Sequence, residues 1–477
     1  MVSLYLLTDC HYVSKKNWVE GKPFTSRERG DQICLRFSPE ILDTFINRII
    51  EDKDTDTVVF QGDNVNSGDM TSHYEFRERL DRLKAAGKKV YMIPATHDYC
   101  SCNGEDECFQ KGSVRYTETG TEPVEVMPRS GLYDFYKDYG PSQALSVDEE
   151  SRSYSVRISD KVRLIAICDN GNGRSHCGLF ESGMKWLAAQ IKEAKDAGEY
   201  VLLMTHHPVI SPWDVYAHMA DFEMYGGYKE LSNLMCEEGV RVIFTGHTHV
   251  QNIRKYTGVN GNYFYDVSTV SLVNAAGKMR MVTVDTEKGL CDVSSIGIDK
   301  IDGVDTGDKS AYEYLYSLNF TGLLENSFPL IFKDYDAFLD SVDGFLPVDK
   351  LARHRGLVKF ACKKLSKMKL STLAKLGGGK KKLSKEQFAY SKTVKVIDTA
   401  FAVCRHIFPG NAPYPQDTAE NIVIGAAASK LDRIVSKFKI EALQKVIPPG
   451  SSLSVMAQDF LCNTRTGDDD SITINLA

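Results

Sequence analysis

Two aspartates and four histidines of this chain are spaced as metal ligands. They fall in Asp9-Cys10-His11, Gly62-Asp63-Asn64, His206-His207-Pro208 and Gly246-His247-Thr248-His249, with a further motif, Thr96-His97-Asp98, between the second and the third. Carboxylate oxygens and imidazole nitrogens, with no thiolate among them, suit Zn, Fe or Mn. Asp9 and His11 flank a single residue, so both side chains can chelate one ion. Asp63 follows a glycine, which lets the backbone come close to the ions, and its two oxygens can bridge a pair. His247 and His249, again one residue apart, can each reach a different ion, and His206 supplies one more imidazole. Two ions about 3.5–4 Å apart polarise a phosphoryl oxygen and let a shared water ionise near neutral pH. The chemistry expected is attack of that hydroxide on phosphorus, hydrolysing a phosphomonoester or phosphodiester. His97 is placed to protonate the leaving alkoxide, and Asp98 to orient its ring.

Taken singly, each motif is weak, because a lone strand-end histidine more often caps or packs than ligates. The order and placement of the set carry the argument. LYLLT precedes Asp9, TVVFQ precedes Gly62, KVYMIPA precedes Thr96, YVLLMT precedes His206 and VRVIFT precedes Gly246. Ligands at the carboxyl ends of successive strands converge in one crevice of an open α/β sheet. Between strands at 2–8, 57–61 and 88–93, apolar spacing predicts two helices. One opens at Ser38-Pro39, as N-cap and first helical residue, and one spans 71–86 and stops at Gly87. This is a βαβαβ unit with parallel strands and right-handed crossovers. Residues 99–127 read as a long loop beside the site. Strands follow near 153–158, 162–168, 200–205 and 241–245, with helices at 181–197 and 227–238. Strands near 250–256, 262–267, 279–285 and 291–296 read as antiparallel.

Composition bounds the rest. The chain has 477 residues, 42% hydrophobic and 26% charged, with net charge −6. This is an ordinary globular balance, and the length predicts two domains. No basic and apolar leader precedes the first motif, and no apolar run reaches membrane-spanning length. The twelve cysteines, without a secretion signal, predict a reduced cytoplasmic protein. Cys100, Cys102 and Cys108 form C-x-C-x5-C. A structural zinc there needs a fourth ligand, such as His73 or His176, and ordinary loop thiols are the simpler reading.

Residues 298–309 are polar and turn-rich, a linker between a 1–300 domain and a helical 310–477 domain. Helices are predicted at 349–370, 384–407, 416–447 and 452–461, with Gly377-Gly378-Gly379 as a break. Their apolar faces need a partner surface. Between Lys350 and Lys395 there are 15 Lys or Arg and one acidic residue, Glu386. Contact with an anionic surface is one reading of that stretch, and a solvated helical face is the other. Aromatics are sparse in it, so nucleic acid is not expected as a partner. Asp468-Asp469-Asp470 reads as a solvated tail.

The ordered motifs resemble the calcineurin-like metallophosphoesterase superfamily over about residues 1–300. GLFESGMKWLAAQI, after Asp169, is similar to the helix that lies between the two halves of that family's site. The resemblance implies an α/β fold, a two-sheet αββα sandwich, here followed by a mainly helical C-terminal domain. It implies two metal ions (Fe, Mn or Zn) and a phosphorylated substrate. Asp9, His11, Asp63 and His249 would hold the first ion, and Asp63, His206 and His247 the second. His206 rather than His207 is implied by its place two residues before Pro208, which leaves His207 as a wall residue. His97 would assist the leaving group. Thr96 stands where the family has an asparagine ligand to the second ion, so the implied set there is weaker. A degenerate, metal-binding scaffold is the alternative to an enzyme.

Overall fold

Alternation along the first strand sets the layering. In the computed structural model of the chain, β1 (Val2–Leu7) sends Leu4 and Leu6 into one core and Tyr5 and Leu7 into another, as successive side chains of a strand must. The structure describes residues 1–100, 112–170, 177–213, 223–344, 346–438, 447, 451–462 and 467–477. After β1 come α1 (Lys22–Arg29), α2 (Ser38–Glu51), β2 (Thr57–Gln61), α3 (Met70–Ala85) and β3 (Lys89–Ile93). A short hairpin, β4 (Val114–Tyr116) and β5 (Thr121–Pro123), and α4 (Arg129–Tyr136) follow. The second half runs β6 (Ser146–Val147), β7 (Tyr154–Ser159), β8 (Val162–Ala166), α5 (Glu181–Asp196), β9 (Tyr200–Met204), α6 (Tyr228–Glu238) and β10 (Val242–Thr245). The core ends with β11 (Asn252–Thr257), β12 (Tyr263–Ser268), β13 (Lys278–Asp285) and β14 (Leu290–Gly297).

One sheet has the order β14-β13-β1-β2-β3, extended beyond β14 by a last strand, β15 (Ile472–Asn475). The other has the order β11-β12-β10-β9-β8-β7-β6. Leu4, Leu6, Val59 and Ile93 of the first sheet share a buried cluster with Leu164, Leu202, Met204, Phe244 and Val267 of the second. That cluster is the filling of a sandwich. Outside the first sheet, Ile41, Leu42, Phe45, Ile46 and Ile49 of α2 and Phe76, Leu80 and Leu83 of α3 cover Leu7 and Phe60. Outside the second, Leu187 and Ile191 of α5 and Leu231 and Met235 of α6 cover Ile165, Leu203 and Ile243. The layers are therefore α-β-β-α, as expected. Phe45 is fully buried, and its truncation to alanine would destabilise the fold by about 3–5 kcal/mol.

Several details differ from the sequence reading. A 3-10 turn, Leu35–Phe37, runs straight into α2, so Phe37 occupies the cap position and Ser38 is already helical. β11 and β12 pair antiparallel, but β12 then joins β10 in parallel. Polar residues 99–127 include the β4–β5 hairpin rather than loop alone.

The C-terminal segment carries α7 (Ala311–Tyr316), α8 (Phe320–Ser327), α9 (Leu330–Lys333), α10 (Tyr335–Val342), α11 (Val348–Arg353) and α12 (Arg355–Leu365). Among the described residues, α13 (Leu370–Gly377), α14 (Lys385–Ser391), α15 (Val396–His406), α16 (Ala419–Phe438) and α17 (Leu453–Leu461) follow. The expected helices 349–370 and 384–407 are each broken. Leu370 N–H donates to Val394 O at 2.9 Å and Val396 N–H to Met368 O at 2.9 Å, so the two breaks pair with each other as extended chain. β-Branched Val394 favours that conformation. Residues 311–342, within the expected helical region but with no individual helix assigned, carry α7 to α10, with Ser310, Asn319 and Asp334 as caps. The acidic run is not a solvated tail. Asp469 is fully buried, and Arg280, buried across the first sheet, donates to the Asp469 carbonyl at 2.8 Å. Among the described residues, no helix is long and apolar enough to cross a membrane.

Candidate metal centre

The parallel register of β1, β2 and β3 continues past the strand ends and lays the first motifs side by side. Asp9 N–H donates to Gly62 O and His11 N–H to Asp63 O, both at 3.0 Å. Five of the expected ligands leave the sheet through a left-handed turn: Asp9 (φ 50°), His11 (38°), Asp63 (50°), His247 (65°) and His249 (57°). Non-glycine residues adopt this region at a penalty of order 1–3 kcal/mol, and such residues gather at functional sites. Two glycines make the close approach possible. A Cβ on Gly62 would lie 2.7 Å from His206 Nδ1 and 2.7 Å from Ala95 Cβ. A Cβ on Gly246 would collide with the Thr8 hydroxyl and the Asp9 carboxylate.

Two triads result. Asp9, His11 and His249 form one, and Asp63, His206 and His247 the other, the ligand atoms of each lying within 4.8 Å of one another. In the first, His11 Nε2 and His249 Nε2 are 3.0 Å apart. Asp9 Oδ1 lies 3.3 Å from His249 Nε2, 3.7 Å from His11 Nε2 and 3.7 Å from His206 Nε2. Its other oxygen accepts Thr8 Oγ1–H at 2.7 Å and the His247 N–H at 3.1 Å. In the second triad, Asp63 Oδ2 is 2.9 Å from His206 Nε2, and Asp63 Oδ1 accepts the His97 N–H at 2.8 Å. His206 Nδ1 lies 2.9 Å from Gln61 O. A carbonyl only accepts, so Nδ1 carries a proton and Nε2 is the nitrogen left to face an ion, the usual arrangement of a ligating histidine. Asp9 thus touches imidazoles of both triads, while the oxygens of Asp63 meet His206 and the His97 backbone.

This donor set fits two cations. Asp9 Oδ1 is buried and receives no well-directed hydrogen bond among the described residues, a costly state for a carboxylate oxygen. The nitrogen spacing of 3.0 Å is close to the ~3.0–3.4 Å between two nitrogens bound to one ion at about 2.1 Å. The electrostatics agree. Burial opposes ionisation of Asp9, but the His206 and His249 imidazoles hold its carboxyl well below the usual range. Burial also opposes a charged His206, yet Asp63 and Asp9 raise its ring to about 9. Two buried carboxylates here attract positive charge.

The triads floor a cleft of about 400 Å³ lined by His11, Thr96, His97, His207, His247 and His249, with Arg27, Asp31, Asn66 and Glu223 among its walls. Thr96 is buried and shares that lining. The His97 ring stands edge-on to His11, centroids 4.7 Å apart. Burial lowers it to about 4. Asp98 was expected behind that ring, but its carboxylate ties backbone instead. Oδ1 accepts the N–H groups of Asn64 (2.8 Å) and Val65 (2.9 Å), and Oδ2 accepts those of Ala95 (2.8 Å) and the Asn64 amide (3.1 Å). It fastens the second motif to the third. His207 is a wall residue, its Nδ1 3.2 Å from Asp169 Oδ2.

Three acidic residues of the site were missed. Asp169 accepts Thr205 Oγ1–H at 2.7 Å and the His207 N–H at 2.8 Å. It follows a β run as Asp9 does, so the same signal could have found it. Asp266, inside β12, accepts the N–H groups of Val209 and Ile210 at 2.8 Å and so holds the loop behind His206-His207-Pro208. An aspartate within YFYDVS was its only trace. Glu223 Oε2 lies 3.8 Å from His247 Nε2, and nothing in its neighbourhood in sequence marks it. Cys102, Cys108 and His176 lie outside the described residues. Cys100 Sγ meets Ser67 O at 3.1 Å. His73 is held between Tyr136 Oη (2.6 Å) and the Asp98 carbonyl (2.8 Å).

A family model described as calcineurin-like phosphoesterase matches residues 3–251. No curated protein matches the sequence. Among solved structures, the chain is similar to a dimetal phosphatase from Danio rerio, at 11% identity over 62% of this chain and 96% of that one, with a TM-score of 0.44. It is also similar to the purple acid phosphatase PPD1 of yellow lupin, at 13% identity over 62% of this chain, with a TM-score of 0.39. The match spans about half the lupin enzyme, 51% of its length. A third likeness is to the NAD nucleotidase of Haemophilus influenzae, at 11% identity over 77% of this chain and 61% of that one, with a TM-score of 0.34.

Proposed function

Since the chain belongs to the calcineurin-like phosphoesterases, we propose that it hydrolyses a phosphomonoester or phosphodiester with two metal ions. The observation that carries this reading is the pairing of two buried carboxylate–imidazole triads on strained, left-handed strand exits. Such ions supply Lewis acidity toward a phosphoryl oxygen and acidify water.

The chain's own residues do the rest. Asp9, His11 and His249 would hold one ion, and Asp63, His206 and His247 the other. Gln61 fixes the His206 ring through its carbonyl. Thr96, which lines the same cleft, would offer a hydroxyl to the second ion. His97 gives a proton to the leaving oxygen. Burial keeps its ring neutral at pH 7, and a phosphoester bound against it adds the negative charge that opposes that shift. Asp98 keeps the His97 turn in place by tying Asn64, Val65 and Ala95. The helices between 311 and 461 buttress the 1–300 domain rather than carrying chemistry, and the last strand, β15, joins that domain's first sheet.

The test is turnover of p-nitrophenyl phosphate and of its bis ester after chelation and re-addition of Mn²⁺. Activity should vanish with chelator and return with metal, and His206→Ala and His249→Ala should not recover it. Metal binding without turnover of any phosphoester would favour the scaffold reading. Turnover that survives chelation and both substitutions would overturn the proposal.

A further inference from the structure

Helix α12 presents apolar side chains on two opposite faces. Val358 and Cys362, one turn apart, pack inward on the cluster of Ile331, Tyr335 and Phe338. Leu357 and Phe360 point the other way and are 67% and 61% exposed. Lys364, one turn beyond Phe360, sets its Nζ 5.5 Å over the Phe360 ring, so cation and apolar groups form one continuous outer face. Lys363 and Lys367 flank it. The surroundings are strongly basic, with 15 Lys or Arg against one acidic residue between Lys350 and Lys395. Among the described residues, one ion pair neutralises a cation of that stretch, Arg355 with Asp336 at 3.2 Å. Most of the remaining cations are exposed, while the chain as a whole is acidic, at net −6.

We propose that the outer face of α12 docks the protein on an anionic phospholipid surface. A short helix with Leu and Phe on one side and lysines around them lies in the plane of such a surface, its apolar side chains sunk ~5–10 Å into the headgroup boundary. Leu357 and Phe360 would enter that boundary, while Lys363, Lys364 and Lys367 snorkel to the phosphates. Charge complementarity selects the occupant. A second copy would bring the same basic face and be repelled. A nucleic acid would satisfy the lysines but has no use for the aliphatic Leu357. A neutral leaflet would take the apolar groups but leave the charges idle. Each basic side chain near an anionic leaflet is worth about fivefold in affinity, and each buried apolar side chain about tenfold or more.

The test is flotation of the full chain with phosphatidylcholine vesicles containing or lacking phosphatidylserine. Binding is expected only with phosphatidylserine, and it should weaken steeply with salt. Lys363→Glu/Lys364→Glu/Lys367→Glu should reduce it roughly a hundredfold. Leu357→Ser/Phe360→Ser should reduce it by a similar factor. Both variants change exposed side chains, and melting followed by circular dichroism checks that they fold. Three results would overturn the proposal: no binding to the anionic vesicles at low salt, equal binding to both vesicle types, or binding that both variants leave intact. So would tighter binding to an oligonucleotide than to the vesicles, or a solution dimer that Leu357→Ser/Phe360→Ser converts to monomer without any vesicle binding by the parent chain.

Discussion

Asp469 Oδ1 accepts the backbone N–H of Ile253 at 3.2 Å, four residues beyond His249. The same carboxylate takes the Asn252 amide at 3.2 Å and the Asn411 N–H at 2.6 Å. Gln251 between them donates its backbone N–H to Phe408 O at 2.8 Å and its side-chain amide to Asp470 at 3.0 Å. The strand that leaves the histidine loop is thus held by the C-terminal segment.

Asp469→Ala should therefore weaken the first metal site, although Asp469 touches no ligand. Buried donors left without a partner cost about 1–3 kcal/mol each. A loss of roughly 2–4 kcal/mol in stability by urea unfolding is expected, with a drop in metal affinity by calorimetry. Unchanged metal affinity would show that the segment does not position His249.

His97→Ala should lower kcat far more for esters with poor leaving groups than for nitrophenyl esters. Proton donation is worth ~10²–10⁴-fold where the leaving oxygen needs it. Asp98→Asn should act differently. Its four accepted N–H bonds hold the motif together, so that variant should lose stability and activity on both substrates alike. Equal losses in His97→Ala on both substrates would remove the proton-donor role.

Thr96→Asn should tighten the second metal site. A threonine hydroxyl reaches less far than an asparagine amide and is the poorer donor to a hard cation. Wild-type protein should show two unequal metal affinities by calorimetry, the weaker one improving in the variant. Two equal affinities, unmoved by the substitution, would contradict this account.

The candidate site was legible because its proposed ligands come in local motifs. A strand's apolar run, its end and the next polar side chain are adjacent in sequence, so Asp9, Asp63, His206 and His247 announce themselves. α2 was legible for the same reason, through the 3.6-residue spacing of Ile41, Phe45 and Ile49. What failed was set by distant partners. The break at 366–369 exists because Leu370 pairs with Val394, and no local signal places that partner. Asp469 reads as a charge to be solvated until Ile253 and Asn411 are set against it. Asp98 sits beside His97 in sequence, which suggested a partnership, but the backbone of Asn64 and Val65 claims its oxygens.

His73 should make the fold acid-sensitive. Burial lowers its ring to about 4 from an ordinary 6.5, and it is held neutral between the Asp98 carbonyl and the Tyr136 hydroxyl. A depressed histidine stabilises the fold above pH 6.5, and that contribution is lost as pH falls from 6.5 toward 4. The loss reaches on the order of 3 kcal/mol. Urea midpoints measured across that window should fall in the wild-type protein and fall less in His73→Gln. Parallel curves for the two proteins would assign the acid sensitivity elsewhere.

Two ions are expected to occupy the two triads. A crystal grown with Mn²⁺ and measured at the manganese absorption edge tests it most directly. Two anomalous peaks are predicted about 3.5–4 Å apart, one against Asp9, His11 and His249, the other against Asp63, His206 and His247. A cleft without anomalous density, or metal bound only away from these side chains, would contradict the account.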